Sequence, residues 1–405
     1  MNRFNTFTLL LILCSLFHLG AFAQSDRHIQ KETTLNTTVE TIRELISKIG
    51  LEMLDALEDI DFETLADDIE EIAALSEAKA EQAALEIAGI DWEQFGNPYD
   101  MTSPLGFQKE KVIEKVYPIN HHTKVSIDNR YGKITLHNWN RNEIKVTIKI
   151  RTAENSEKRA ESAFDRVNID ESKSANSISF KTNIASSDES GWWSSLTSGT
   201  AHRALQIDYE VYMPKENELA LANRYGAIEL DDRDGKVAIS VSYGSLQAGR
   251  LNGPDNSLAV AYSKADVQYL NEGDVSVRYG GFTLSETEKI SLAMNISSGG
   301  YIGKVNREAD ISLRYSGGFE MGIGPAIQKA NVAASYSSIH IKPADDAAFN
   351  FNVAISYGGF DYDHNRINIE SKSEGNTSKS YTGYWNKAVN SSISISSRYG
   401  AVSLK

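Results

Sequence analysis

Val237-Ala238-Ile239-Ser240-Val241-Ser242-Tyr243-Gly244-Ser245-Leu246-Gln247-Ala248 is the stretch on which the fold is decided. Apolar residues alternate up to Tyr243, and the phase then slips by one residue at Gly244. Alternation with period two marks a half-buried strand. A one-residue slip would turn the next strand inside out unless the backbone bends there, and glycine tolerates such a bend. The stretch therefore reads as strand, corner, strand.

The unit recurs. Tyr225, Tyr243, Tyr262, Tyr279, Tyr315, Tyr336, Tyr357 and Tyr399 are each followed by Gly or Ser. The steps are 18, 19, 17, 36, 21, 21 and 42 residues, and the 36 is read as two steps with Ser298 in the Tyr slot. Polar turns such as Asp231-Asp232-Arg233-Asp234-Gly235 separate the units and have suitable turn chemistry. A fixed period of this length marks stacked units. The expected fold is mainly β: a parallel β-solenoid (β-helix) of about 18–21 residues per coil, preceded by a small acidic α-helical segment. The Tyr slot is expected to form an inward structural ladder. A sandwich of antiparallel hairpins is the competing fold, less consistent with one regularly spaced Tyr.

Outward positions before the corner are mostly Ala, Ser and Arg, as in Ala220, Ala222 and Arg224. Such a flat face lets another surface approach closely, so self-association through it, or cover by the acidic segment, is an expectation.

The rest of the chain is organised around these repeats. Residues 1–23 read as a signal peptide, with Arg3, an apolar run and Ala21-Phe22-Ala23 as the cleavage site. Cys14 is the single cysteine and would leave with it, so no disulfide is expected. No stretch of the mature chain reads as a transmembrane span. Residues 24–36 read as a linker, 37–93 as the acidic helical segment and 94–110 as a second linker. Residues 111–405 read as the β domain, with repeats mainly over 217–405. Within it, Glu143–Ile150, Ser177–Ile184 and Leu205–Met213 read as strands and Ala153–Arg166 as a helix. Insertions fall at 186–200 and 365–390.

From Glu40 to Glu93 there are 17 acidic residues against Arg43, Lys48 and Lys79, which accounts for the whole chain's net charge of −14. The remainder sums to zero, and no basic patch points to nucleic acid.

Few groups in the sequence suit catalysis or metal binding. Adjacent His121 and His122 would point to opposite faces of a strand. Asp232-Arg233-Asp234-Gly235 is half a calcium loop without its distant Glu, and reads as a turn. The expectation is no enzyme, no metal and no cofactor. Ligand contact is expected instead at the aromatics of the two insertions: Trp192 and Trp193 in one, Tyr381, Tyr384 and Trp385 in the other. The alternative is that these rings fold back onto the scaffold.

Three motifs together resemble a known group: Gly132-Lys133-Ile134-Thr135-Leu136, Val211-Tyr212-Met213-Pro214, and Asn223-Arg224-Tyr225-Gly226-Ala227-Ile228-Glu229-Leu230. Residues 111–405 are similar to the bacterial putative-adhesin family, related to autotransporter-adhesin head (GIN-like) β-helix domains. The resemblance implies a β-helical fold and a cell-envelope role, and carries no catalytic residues. Together with the signal peptide, it predicts a secreted or envelope-located, non-catalytic binding scaffold in the periplasm, at the cell surface or outside the cell. A glycan or an envelope or host protein would be its ligand. The rival functions are a structural or regulatory envelope protein without such a ligand and, more remotely, a carbohydrate-active β-helix enzyme.

Overall fold

The computed structural model describes residues 107–154, 156–185 and 204–405. The expected signal peptide, both linkers up to residue 106, the acidic segment and the pair Trp192 and Trp193 lie outside the described residues.

The first part contains β1 (Phe107–Pro118), β2 (Lys124–Arg130), β3 (Ile134–Asn138), β4 (Glu143–Glu154), α1 (Glu157–Asp165), β5 (Val167–Lys173), β6 (Ser177–Ile184) and β7 (Ala204–Met213). The repeats begin with β8 (Leu219–Arg224), β9 (Ala227–Leu230), β10 (Val237–Ser242), β11 (Ser245–Leu251), β12 (Asn256–Ala261) and β13 (Lys264–Arg278). They continue through β14 (Gly281–Ser297), β15 (Gly299–Ser316), β16 (Phe319–Ile323), β17 (Lys329–Ser335), β18 (Ile339–Pro343) and β19 (Phe349–Ser356). The chain ends with β20 (Phe360–Tyr362), β21 (Ile367–Glu374), β22 (Ser378–Trp385), β23 (Ser392–Arg398) and β24 (Val402–Leu404).

All 24 strands among the described residues belong to one mixed sheet, and this corrects the expected parallel β-solenoid. β1 with β4, β4 with β7, β5 with β6, β19 with β22, and β21 with β22 pair antiparallel. The acidic helical segment is not among the described residues, where α1 is the one α-helix. Ser156 caps α1 by accepting from the Arg159 backbone N–H, and Ala160 is buried. The insertion expected at 365–390 is largely the antiparallel hairpin β21–β22. Period-two alternation does not encode strand direction, so these flanking pairs were invisible to the pattern.

Parallel pairing runs through the middle of the sheet in two rows. In the first row the neighbours are β6, β2, β8, β10, β12, the second halves of β13, β14 and β15, then β17, β23 and β19. In the second they are β7, β3, β9, β11, the first halves of β13, β14 and β15, then β16, β18, β24 and β20.

The last repeat does not come last in space. β23 lies between β17 and β19, so Tyr399 stacks between Tyr336 and Tyr357. One outward column records this order. Ala222, Ser240, Ala259, Ser276, Ala293, Ser312, Ala333, Ser396 and Ala354 are successive register partners and alternate strictly Ala, Ser. In chain order the alternation fails at its end, because Ala354 would follow Ala333 directly.

The corner geometry differs from the sequence reading. The bend is taken by the tyrosine, not the glycine after it. Tyr131, Tyr225, Tyr243, Tyr262, Tyr279, Tyr315, Tyr336, Tyr357 and Tyr399 all have φ between 48 and 62°, whereas Gly299 is the one described glycine with positive φ. Register also places Ile296, with φ 48°, in the slot that the spacing assigned to Ser298. A bulky side chain in this region is an outlier, costing about 1–2 kcal/mol. The column of rings offsets that cost. Successive centroids along Tyr131, Tyr225, Tyr243, Tyr262 and Tyr279 are 4.7–5.2 Å apart, and those along Tyr315, Tyr336, Tyr399 and Tyr357 are 4.8 Å apart. Burying such a ring is worth about 1.5–3 kcal/mol, and each stacked pair adds about 0.5–1.5 kcal/mol.

Glycine follows the tyrosine because the corners stack too closely for a side chain. A Cβ on Gly244 would lie 2.0 Å from the Gly226 carbonyl oxygen. Where Ser replaces Gly, its hydroxyl supplies a bond: Ser263 Oγ accepts from the Gly244 N–H at 3.0 Å and donates to the Ala261 carbonyl at 2.8 Å.

Candidate functional site

The outer side of the second row carries an open groove of about 700 Å³ across β3, β9, β11 and β13. Parallel register builds its floor. Thr135, Glu229, Gln247 and Asp266 are successive partners on neighbouring strands, so their side chains share a face. A second line holds His137, Asp231, Gly249 and Gln268. Gln247, Asp266 and Gln268 are exposed.

One end of the groove rests on the turn at Asp231–Gly235. Arg233 is fully buried beneath it. Its guanidinium donates to Asn138 Oδ1 at 2.9 Å and to the carbonyls of Pro214 and Asn217 at 2.9 and 3.0 Å. Burial pulls its pKa down to about 10, against the raising influence of nearby Glu216, Asp234 and Asp231. The carboxylates of this turn are engaged. Asp231 accepts from the Asn138 backbone N–H at 3.2 Å and lies 3.5 Å from His137 Nδ1. Asp232 accepts from the Arg250 backbone N–H at 2.7 Å. Asp234 is paired with Lys215 at 2.8 Å and accepts from Asn252 at 2.8 Å, and these two contacts hold its carboxyl below the usual carboxylate range. The half calcium loop is thus a structural turn, and the described residues contain no His/Cys/Asp/Glu group of three or more arranged to hold a metal ion.

Aromatic rings flank this floor. Beside β3 stands Tyr212, with its ring centroid 5.0 Å from that of His137 and 5.7 Å from that of Trp139. Its hydroxyl donates to Glu210 at 2.9 Å, and this bond raises its pKa. Beyond β13, on β15, Tyr301 is 44% exposed. Its hydroxyl lies 3.4 Å from the point where a Cβ on Gly303 would sit. The ring therefore lies along its own strand and presents a face to solvent. Sequence reasoning missed Tyr212 and Tyr301 because each sits alone in the text, and only strand pairing puts them on one face.

The aromatics of the second insertion are placed otherwise than their expected role requires. Tyr381 and Trp385 are 4% and 2% exposed, on the inner side of β22. Trp385 stacks on Phe349 at 6.1 Å, and Tyr381 packs 5.0 Å from Phe360. Tyr384, half-buried on the opposite side of the strand, is the member of that trio within reach of a ligand. The ladder tyrosines are mostly buried, but Tyr357 at the end of the column is 55% exposed.

No family model and no curated protein matches this chain. Solved structures give distant likenesses. A "putative adhesin" from Bacteroides fragilis is 12% identical over 73% of this chain and 97% of its own, with a TM-score of 0.33. A "putative adhesin" from Parabacteroides merdae is 9% identical over 73% and 96%, with a TM-score of 0.34. A "putative lipid binding protein" from Parabacteroides distasonis is 10% identical over 74% and 97%, with a TM-score of 0.37. None of the three is described as an autotransporter head, so that link in the sequence resemblance has no support here. At these identities and scores the likenesses assign no ligand and no residue role.

Proposed function

We propose that this protein is a non-catalytic binding scaffold of the cell envelope, acting in the periplasm, at the cell surface or outside the cell. The observation that carries this reading is the second-row groove. It presents amide and carboxylate groups on an in-register floor, and Asp231 and Asp232 at its end are taken up by the Asn138 and Arg250 backbone N–H groups. Strands hold such groups more firmly than loops do, which suits recognition. A glycan or an envelope or host protein is the proposed ligand. Trp192, Trp193 and Tyr384 are kept as further proposed contacts, and the Ala/Ser face of the first row as a proposed surface for self-association. A structural or regulatory envelope role without such a ligand is the second reading.

The test incubates the purified full chain with whole bacterial and host cells and with acidic and neutral polysaccharides, following binding and product release together. Saturable binding without product is expected. Product release abolished by Asp266→Asn would establish an enzyme instead. Absence of binding to every surface and polymer would favour the structural reading.

A further inference from the structure

We infer that the outer side of the second row, from Tyr212 to Tyr301, is a track for a linear, uncharged oligosaccharide; this rests on the scaffold reading above and names its ligand class.

Three features point to this chemistry. The track has aromatic ends: Tyr212, packed against His137 and Trp139, and the flat-lying Tyr301. A ring face of this kind packs on the apolar C–H face of a sugar ring while its hydroxyl remains available. Between the ends run side chains that both accept and donate. Gln247 and Gln268 offer a carbonyl and an NH₂ each, and the Asp266 carboxylate has two oxygens that can each accept from a hydroxyl. Finally, Gly249 and Gly303 make room for these groups: the Asp232 carboxylate lies over Gly249, and the Tyr301 hydroxyl lies 3.4 Å from the point where a Cβ on Gly303 would sit, which lets the ring lie flat.

Length and charge narrow the ligand. From β7 to β15 the row passes β3, β9, β11, β13 and β14. Six strand spacings span roughly 29 Å. That is the reach of a sugar chain of several residues, not of a monosaccharide. Glu229 is paired with Lys133, while Asp231, Asp232 and Asp266 add negative charge. A polyanionic glycan would be repelled, and the aromatic ends favour sugar rings over a basic peptide.

The test is calorimetric titration of the full chain with neutral linear hexasaccharides of β-1,4-glucose, β-1,4-mannose, β-1,4-xylose and β-1,4-N-acetylglucosamine, with an oligogalacturonate hexamer and with hexalysine. At least one neutral hexasaccharide is expected to bind, at least tenfold more tightly than its trisaccharide, and the galacturonate is not. Tyr301→Ala and Gln268→Ala should each weaken binding about tenfold with the melting temperature unchanged, and Tyr301→Phe should retain it. Failure of all four neutral probes overturns the track, as does binding unchanged in both Ala variants, or binding of hexalysine alone. If the cell and polysaccharide binding of the scaffold test persists in those variants, the scaffold reading stands and only the track falls.

Discussion

The two rows of strands share one backbone register but carry different side chains on their outer faces. In the first row the outer column alternates Ala and Ser over nine strands, and each corner but the one at Ile296 ends in a tyrosine with left-handed backbone. In the second row the outer side chains change from strand to strand: Thr135, Glu229, Gln247, Asp266, Thr283, Tyr301. Repetition is what stacking requires, because each layer meets a copy of itself. Variation is what recognition requires, because a ligand is not periodic with the sheet. On the proposed reading, the first row with its tyrosine column holds the layers together and the second row carries the ligand.

The strongest attack on that division is to remove a ring from within the column. Tyr243 is 3% exposed and lies between Tyr225 and Tyr262, at 5.2 and 4.7 Å. Tyr243→Ala should cost about 3–5 kcal/mol in chemical denaturation. Tyr357→Ala, at the open end of the same column, should cost under about 1 kcal/mol. Equal losses at the two positions would mean that stacking between layers does not hold the column together.

Alkaline pH tests the column together with the buried Tyr209 of β7. Burial pushes Tyr279 and Tyr209 up to about 12, and burial together with the neighbouring tyrosines pushes Tyr262 higher still. An unfolded tyrosine titrates near 10, so between about pH 10 and 12 the unfolded chain has lost protons that the folded chain keeps. Stability must fall as pH rises through that window. Arg233 acts in the opposite sense. Its folded value of about 10 lies below its ordinary 12.5, so its share of stability rises over the same range. One arginine against three tyrosines leaves a net fall. The urea midpoint should drop between about pH 10 and 12, with tyrosinate absorbance appearing together with unfolding. A midpoint that holds or rises would show that the rings titrate freely.

The smallest expected change sharpens the picture. Ile296 breaks the column between Tyr279 and Tyr315, is 5% exposed and has φ 48°, which a β-branched residue tolerates poorly. Ile296→Tyr should stabilise the protein by about 1 kcal/mol by completing the stack. A loss of stability would show that the gap is shaped to isoleucine and that the column works as two shorter stacks.

Much of the first row was legible in the chain because its information is local. Alternation gives the strands, and Tyr spacing gives the period. Outside the repeats, Glu143–Ile150, Ser177–Ile184 and Leu205–Met213 also read as strands, and the structure has β4, β6 and β7 there, β6 at the end of the first row. The candidate groove was not legible. Thr135 and Asp266 are 131 residues apart in the chain, and parallel pairing alone brings them within three strands of each other. Tyr381 and Trp385 show the converse case. Their polar, Ser- and Gly-rich context left open whether the rings reach a ligand or fold back onto the scaffold, and pairing with β19 buries both.

Sequence alone determined that this chain is mainly β, where its strands break and which residues repeat at the corners. It could do so because strand alternation and corner chemistry are set by neighbours in the chain. Tertiary structure decided strand direction at the flanks, the insertion of β23 between β17 and β19, the transfer of the bend from glycine to tyrosine, and the assembly of the groove. These depend on hydrogen bonds and ring contacts between residues far apart in the chain. The order of residues leaves such contacts open, and only the packed sheet selects among them.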